Sequence, residues 1–325
     1  MRTSFRLALL GASLICGFAA TAQAASDYPS RPITLVVPYA PGGPTGLAGR
    51  ILAQGLQEAT GATVIVENVP GAGATVGTGQ VSRAKPDGYT VLWGGKSTHA
   101  IAPNLRPDLA YDPFKSFEPV AMVGSQPYVL AVREDAPYRT VTDLVAKAKA
   151  DPGGLNYSSP GIGSAPHLAT ELILLNTGMD VSHIPYNGGS PAMLAVLSGD
   201  VDFYLDTPTL PKAQAEAGKM RLLATANDER LVDLPNVPTF KESGYPELVM
   251  EPWFGIWVPA GTPDEAVQWL NKNLNDVLEH PRWSKLLAEA GFNVEPMSPE
   301  DFGQFVKDEH ERWGKIIRDA KVTVQ

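Results

Sequence analysis

The chain has 325 residues, with 26 Lys and Arg against 35 Asp and Glu, a formal charge of −9 and one cysteine. That acidic balance argues against nucleic acid and anionic lipid headgroups as partners. It leaves a small anion open as a ligand, because a local cluster of N–H groups outweighs a diffuse and distant charge.

The first segment reads as an export signal. Arg2 and Arg6 supply positive charge, an apolar run follows from Leu7 to Ala20, and Ala22-Gln23-Ala24 has the small-x-small form of a cleavage site. The run is too short to span a membrane comfortably, and no later segment approaches the required length. Cys16 lies within it, and Leu14 and Ile15 do not fit a lipid-attachment site. Cleavage after Ala24 is therefore expected to release a periplasmic chain with no thiol, which excludes disulfides and Cys-ligated metals. Removing residues 1–24 of 325, with Arg2 and Arg6, leaves 301 residues and a charge of −11, enough chain for two domains.

Residues 33–37 form a β-branched run that breaks at Pro38 and empties into Pro41-Gly42-Gly43-Pro44. Thr45 is expected as the N-cap of a helix marked by Leu47, Ile51, Leu52 and Leu56. Strand, Gly-rich loop and helix N-terminus together make an anion site, because unpaired N–H groups and the positive end of the dipole converge. After a strand at 63–67, the loop from Val69 to Gly79 lacks the spacing of a dinucleotide fingerprint, but allows a close backbone approach to a small ligand. A strand at 90–93 leads into Gly94-Gly95-Lys96-Ser97. This resembles the end of a phosphate-binding loop, yet Thr90 stands where the first glycine belongs. Ser97 and Thr98 read as a polar loop.

Strands at 120–123 and 128–132 and a helix at 141–150 precede a second loop of the same logic. It runs from Leu155 to His167, with Ser164 expected as N-cap and Pro166 in the first turn. Helices at 166–176 and 191–197, a strand at 201–205 ending beside Asp206, strands at 221–226 and 255–258, and a helix at 263–279 follow. The last helix, 299–319, carries Phe302, Phe305, Val306, Trp313, Ile316 and Ile317 as core residues. The alternation predicts an α/β protein with mainly parallel sheets. Two domains without a polar linker suggest crossings through paired strands, and so a hinged cleft.

Catalysis is not expected. The five histidines show no metal-ligand spacing, and neither Gly189-Ser190-Pro191-Ala192 nor Gly163-Ser164-Ala165 fits a nucleophile elbow. His167 falls in a helix first turn, where the dipole would favour the neutral ring in a capping or packing role. Asp206 reads as a binding or hinge residue. No metal and no cofactor are expected.

Several runs occur in the order of one family: Tyr28 to Pro38, Pro41-Gly42-Gly43-Pro44-Thr45, Val64-Ile65-Val66-Glu67-Asn68, Pro70-Gly71-Ala72-Gly73, Lys85-Pro86-Asp87-Gly88-Tyr89-Thr90 and Tyr111-Asp112-Pro113. Leu155 to Ser164, His183 to Gly188, Leu234 to Thr239 and Pro259 to Pro263 continue the series. From residue 26 to 325 the chain resembles the Bug-type extracytoplasmic solute receptors, the substrate-binding subunits of tripartite tricarboxylate transporters. The resemblance implies a type II periplasmic-binding-protein fold, two α/β domains around a hinged ligand cleft. It assigns residues 26–124 plus 250–325 to domain 1 and 125–249 to domain 2.

It also implies a monomer that binds a small mono-, di- or aromatic carboxylate and passes it to integral-membrane transporter subunits. A sensor role or a periplasmic hydrolase or lyase on the same fold is the alternative. The implied ligand site comprises Tyr39, Gly43 and Thr45 on the first loop, and Ser159, Gly161, Gly163, Ser164 and His167 on the second. Ala72, Ser97, Thr98 and Asp206 would line the cleft. Gly46 departs from the family's usual Asp, which makes an amino-acid ligand less fitting. Trp93 and Lys96 also depart, and are expected as a packed ring and a solvent-facing amine.

Overall fold

The computed structural model describes residues 28–231 and 233–319; the expected signal peptide lies outside the described residues. The chain opens with β1 (Ile33–Val37), α1 (Pro44–Thr60), β2 (Val64–Asn68), α2 (Thr75–Val81) and β3 (Thr90–Gly95). A π-helical turn, Ser97–Ile101, leads to α3 (Ala102–Leu105) and the long strand β4 (Phe117–Ser125). The second lobe then runs through β5 (Val129–Arg133), α4 (Val141–Ala150), β6 (Leu155–Ser159), α5 (Ala165–Thr177) and β7 (Val181–Pro185). It finishes with α6 (Gly189–Ser198), β8 (Phe203–Asp206), α7 (Thr209–Glu216) and β9 (Met220–Thr225). The chain returns to the first lobe as β10 (Trp253–Pro259), α8 (Asp264–Glu279), α9 (Pro281–Glu289), β11 (Asn293–Val294) and α10 (Pro299–Asp319).

Two sheets result, ordered β11-β4-β10-β3-β1-β2 and β7-β6-β8-β5-β9. The expectation of mainly parallel sheets does not hold, because both are mixed. β1 runs parallel to β2 and β3, and β6 to β7 and β8, as helical crossovers require. β10 is antiparallel to β3 and β4, and β5 to β8 and β9. These two strands enter their sheets directly from the other lobe, with no helix to reverse the chain.

The crossings run side by side. Gln126 N–H donates to Pro252 O at 2.9 Å, Ala226 N–H to Tyr128 O at 2.9 Å, and Met250 N–H to Ala226 O at 2.8 Å. Among the described residues the backbone passes between the sheets twice, through the short link 126–128 and through the longer, turn-rich return between β9 and β10, and the two are hydrogen-bonded to each other where they cross. Paired crossings of this kind let two lobes rotate through small changes of φ and ψ at a few residues, although Gln126, Tyr128, Ala226 and Met250 are themselves buried.

The elements form for local reasons. α4 begins with a reciprocal capping box in which Thr140 Oγ1 accepts from Asp143 N–H at 3.1 Å and Asp143 Oδ2 from Thr140 N–H at 3.0 Å. α10 buries Phe302, Val306, Trp313 and Ile317 along one stripe, with Phe305 and Ile316 packed at its margin. Trp93, fully buried on β3, lies against Phe254 and Phe292, so its ring packs in the core as the sequence suggests. β7 escapes sequence reading because it is an edge strand with a half-exposed pattern and no continuous apolar run.

Candidate functional site

A cavity of about 40 Å³ lies between the two sheets. A water needs roughly 10–15 Å³ by the same measure, so the cavity has room for more than a single water and suits a small solute. The first lobe contributes Tyr39, Gly43 and Thr45 from the β1–α1 loop, Lys96 and Ser97 after β3, and Phe254 of β10. The second lobe contributes Tyr128, Pro160, Ala165, Gly189, Asp206 and Thr207. Pro44, Pro166 and Trp253 complete largely apolar walls.

α1 starts two residues earlier than the sequence suggests. Gly43 is the N-cap, with extended φ −85° and ψ 170° and no side-chain cap, and Pro44 occupies the first turn. Thr45 is therefore not the cap. Proline's fixed φ and missing N–H suit the first helical position, which moves the boundary back. The amides of Thr45 and Gly46 head the helix beyond reach of any intrahelical acceptor, and no acidic side chain stands in the first turn to occupy them.

The second loop is built differently. Ser164 caps α5, its Oγ accepting from His167 N–H at 3.4 Å, with Pro166 in the first turn as expected. The leading amide of α5 is already taken, because Ala165 N–H donates to Ser97 Oγ across the lobes at 2.7 Å. Ser159 Oγ sits 2.6 Å from His183 Nε2 and closes a turn with Gly161. Gly163 N–H donates to His167 Nδ1 at 3.1 Å, and the His167 ring stacks on His183 at 4.1 Å.

His167 is held neutral, near a pKa of about 3, first by burial and then by His183 and Arg106. The helix dipole invoked from sequence is not the main cause. Ser159, Gly163, Ser164 and His167 thus shape the loop from behind, while Pro160, Ala165 and Pro166 present the wall. Replacing Ser164 by alanine should cost about 1 kcal/mol through loss of the cap, read as a lower denaturant midpoint.

Ala72 and Gly161 meet at a separate groove at the mouth of the cleft, beside Arg106. There the Arg106 guanidinium donates to Ile162 O at 2.9 Å, a second bond between lobes. Thr98 turns inward. Its hydroxyl accepts from Gly95 N–H at 3.1 Å and lies 2.8 Å from His99 Nδ1, inside the π-helical turn.

Lys96 overturns its expectation. The side chain is 4 % exposed, donates to Glu251 O, and pairs with Glu309 Oε2 at 3.6 Å. Its ammonium also sits 4.9 Å over the Trp313 ring. Burial pulls its pKa down to about 8, while Glu309 resists the fall. Sequence patterning missed this because Glu251 and Glu309 lie far along the chain from Lys96.

Asp206 ends β8 fully within the protein, accepting from Tyr204 OH at 3.1 Å and Thr207 N–H at 2.8 Å. Burial raises its pKa to about 6 against those two hydrogen bonds. Tyr39 is raised to about 12, first by burial, with Ser97 opposing and Asp206 reinforcing. Two polar groups that the sequence reading missed complete the wall. Tyr128 OH and Thr207 Oγ1 are buried and lack hydrogen-bond partners. Tyr128 begins an expected strand and Thr207 directly follows Asp206, so adjacency was the only available signal. Among the described residues no cluster of three or more His, Cys, Asp or Glu could hold a metal, and no helix is long and apolar enough to cross a membrane.

Known proteins share this architecture. BugT of Bordetella pertussis is 34% identical over 315 residues, covering 97% of this chain and 97% of its own. The solved structure of the periplasmic binding protein BugD matches with a TM-score of 0.87 at 35% identity, over 92% of this chain and 100% of that one. Rpa4515 of R. palustris, solved with adipate, matches with a TM-score of 0.88 at 32% identity, over 91% and 99%. The fold is thus the two-lobed, type II kind of periplasmic binding protein. The family model described as tripartite tricarboxylate transporter family receptor covers residues 48–322. This chain belongs to the Bug-type receptors of that family.

Proposed function

We propose that the protein is a periplasmic receptor that captures a small organic acid between its lobes and delivers it to a tripartite membrane transporter. Residues 1–24 would act as the export signal. Residues 26–124 plus 250–325 would close on residues 125–249 about the paired crossings. The observation that carries the reading is the cavity itself, set between the lobes, headed by the uncapped amides of α1, and lined by the unpaired hydroxyls of Tyr128 and Thr207. Amides at a helix N-terminus favour a carboxylate, and proline and aromatic walls favour its carbon skeleton. Adipate bound to Rpa4515 is consistent with that ligand class.

One observation favours catalysis enough to weigh. Ser159 and His183 stand 2.6 Å apart, as a nucleophile and base would. Ser159 is wholly buried and lies outside the cavity wall, so no solute in the cavity meets its oxygen.

A thermal-shift panel of succinate, adipate and benzoate tests the proposal. An acid at a hundredfold excess over its Kd should add about 2.7 kcal/mol to stability and be recovered unchanged. No shift with any acid would remove the carboxylate reading, and turnover of the bound acid would replace the receptor by an enzyme.

A further inference from the structure

Asp206 is 5 % exposed and lines the cavity, yet every partner it has is neutral. Lys96, the cation on the same cavity, is turned toward Glu309 and the Glu251 carbonyl. The titratable groups that face Asp206 from neighbouring elements are phenols: Tyr204 on its own strand, Tyr128 on β5 and Tyr39 on the first loop. Burial pushes all three upward, so each stays protonated near neutral pH and none compensates a negative charge. From α6, Gly189 adds only backbone, and a Cβ there would stand 2.6 Å from Asp206 Oδ2. Tyr39 and Asp206 line the same cavity of about 40 Å³, and Asp206 reinforces the rise at Tyr39, so Asp206 faces the first-lobe wall.

An anionic ligand held in that space meets a second carboxylate at close range. Two carboxylates sharing one site do not both ionise. Resting on the receptor reading above, we propose that the organic acid is bound together with one proton, held between the Asp206 carboxyl and a ligand carboxylate as an O–H···O⁻ hydrogen bond. The proton comes from solvent and adds to a carboxylate oxygen; no other bond forms or breaks. Such charge-assisted bonds are short and about twice as strong as neutral ones. Tyr128 OH and Thr207 Oγ1, unpaired on the same wall, are placed to donate to the remaining oxygens. Burial already holds Asp206 near a pKa of about 6 in the free protein, so taking the proton near pH 7 requires only a modest further rise. A ligand that carried its own ammonium group would instead keep Asp206 ionised.

Calorimetric titration of the full mature protein tests this. Succinate, adipate and benzoate are each titrated at pH 7.5 in phosphate and in Tris, whose ionisation heats differ. The expected result is uptake of close to one proton per acid bound, and a Kd that rises about tenfold per pH unit above neutrality. Asp206→Asn should abolish both the uptake and the slope while still binding the acid. Binding to the unaltered protein with no proton uptake and a flat pH profile overturns the proposal and leaves the receptor reading intact. The same holds if 3-aminopropanoate binds more tightly than succinate and loses affinity as pH falls below about 6. If no acid binds at all, the receptor reading falls and this proposal with it. The proton count on the unaltered protein stands whether or not the variant folds.

Discussion

Glu309→Ala should destabilise the protein by about 3–5 kcal/mol, the cost of leaving a buried charge without its partner. Glu309 is 7 % exposed and is the centre of a small buried network. It pairs with Lys96 at 3.6 Å, accepts from Trp253 Nε1–H at 2.8 Å and from Arg312 at 3.0 Å. Burial alone would raise its pKa, but Lys96, Trp253 and Arg312 together hold it below the ordinary value. Lys96→Met should behave oppositely, costing little or adding stability, because it removes the charge rather than stranding it. The Arg312 and Trp253 contacts to Glu309 remain in that variant.

The pH dependence separates the two cases. Lys96 is lowered to about 8 in the folded protein, whereas an unfolded lysine titrates near 10.4. Between these values the unfolded chain binds more protons, so this group makes stability rise with pH across that window. The slope should vanish in Lys96→Met and begin at lower pH in Glu309→Ala. Urea unfolding at several pH values measures all of it, and equal losses in both variants would refute the account.

Gly73→Ala should weaken ligand binding about ten- to hundredfold by depopulating the closed form, with only a small loss of folding stability. Gly73 has φ +66°, and a Cβ there would lie 2.3 Å from Ile162 O and 3.2 Å from Ser164 N, both on the opposite lobe. Separating the lobes relieves that overlap; closing them restores it. Gly153→Ala is the matched control, since its φ is +73° and nothing lies within 4 Å of a Cβ. Both substitutions carry about 1 kcal/mol of left-handed backbone cost, but only the first meets the other lobe. Small-angle scattering should show a larger radius of gyration for Gly73→Ala alone, and equal affinities for the two variants would refute the contact's role.

Much of this was legible in the sequence where information is local. The helix at 141–150 is legible to the residue, and Thr140 and Asp143 cap it within one turn. Ser164 was legible as a cap for the same reason. Thr45 was misplaced by a competing local rule, the preference of proline for the first helical position. The glycines of the 69–79 loop were read as room for a ligand, but at Gly73 the backbone that comes close is Ile162 of the facing loop. Pairings between residues distant along the chain were not legible at all. Ser97 finds Ala165, and Lys96 finds Glu251, across 68 and 155 residues, and no spacing or periodicity encodes a partner at that range. The consequence was largest for Lys96, whose long side chain reads as a solvated group until tertiary structure surrounds it.

The placement of β10 bears on how the protein is made. The second sheet is assembled wholly from residues 129–225, a continuous stretch, whereas the first needs residues 33–125 and then β10 and β11 from 253–294. β10 is a central strand there, hydrogen-bonded on both sides to β3 and β4. A chain emerging from its N-terminus therefore presents the first lobe earliest and completes it last, leaving β3 and β4 with facing unpaired edges until residue 259 arrives. The inserted lobe can finish while its host still waits, and in that interval the exposed edges of β3 and β4 are where a chaperone would be needed most.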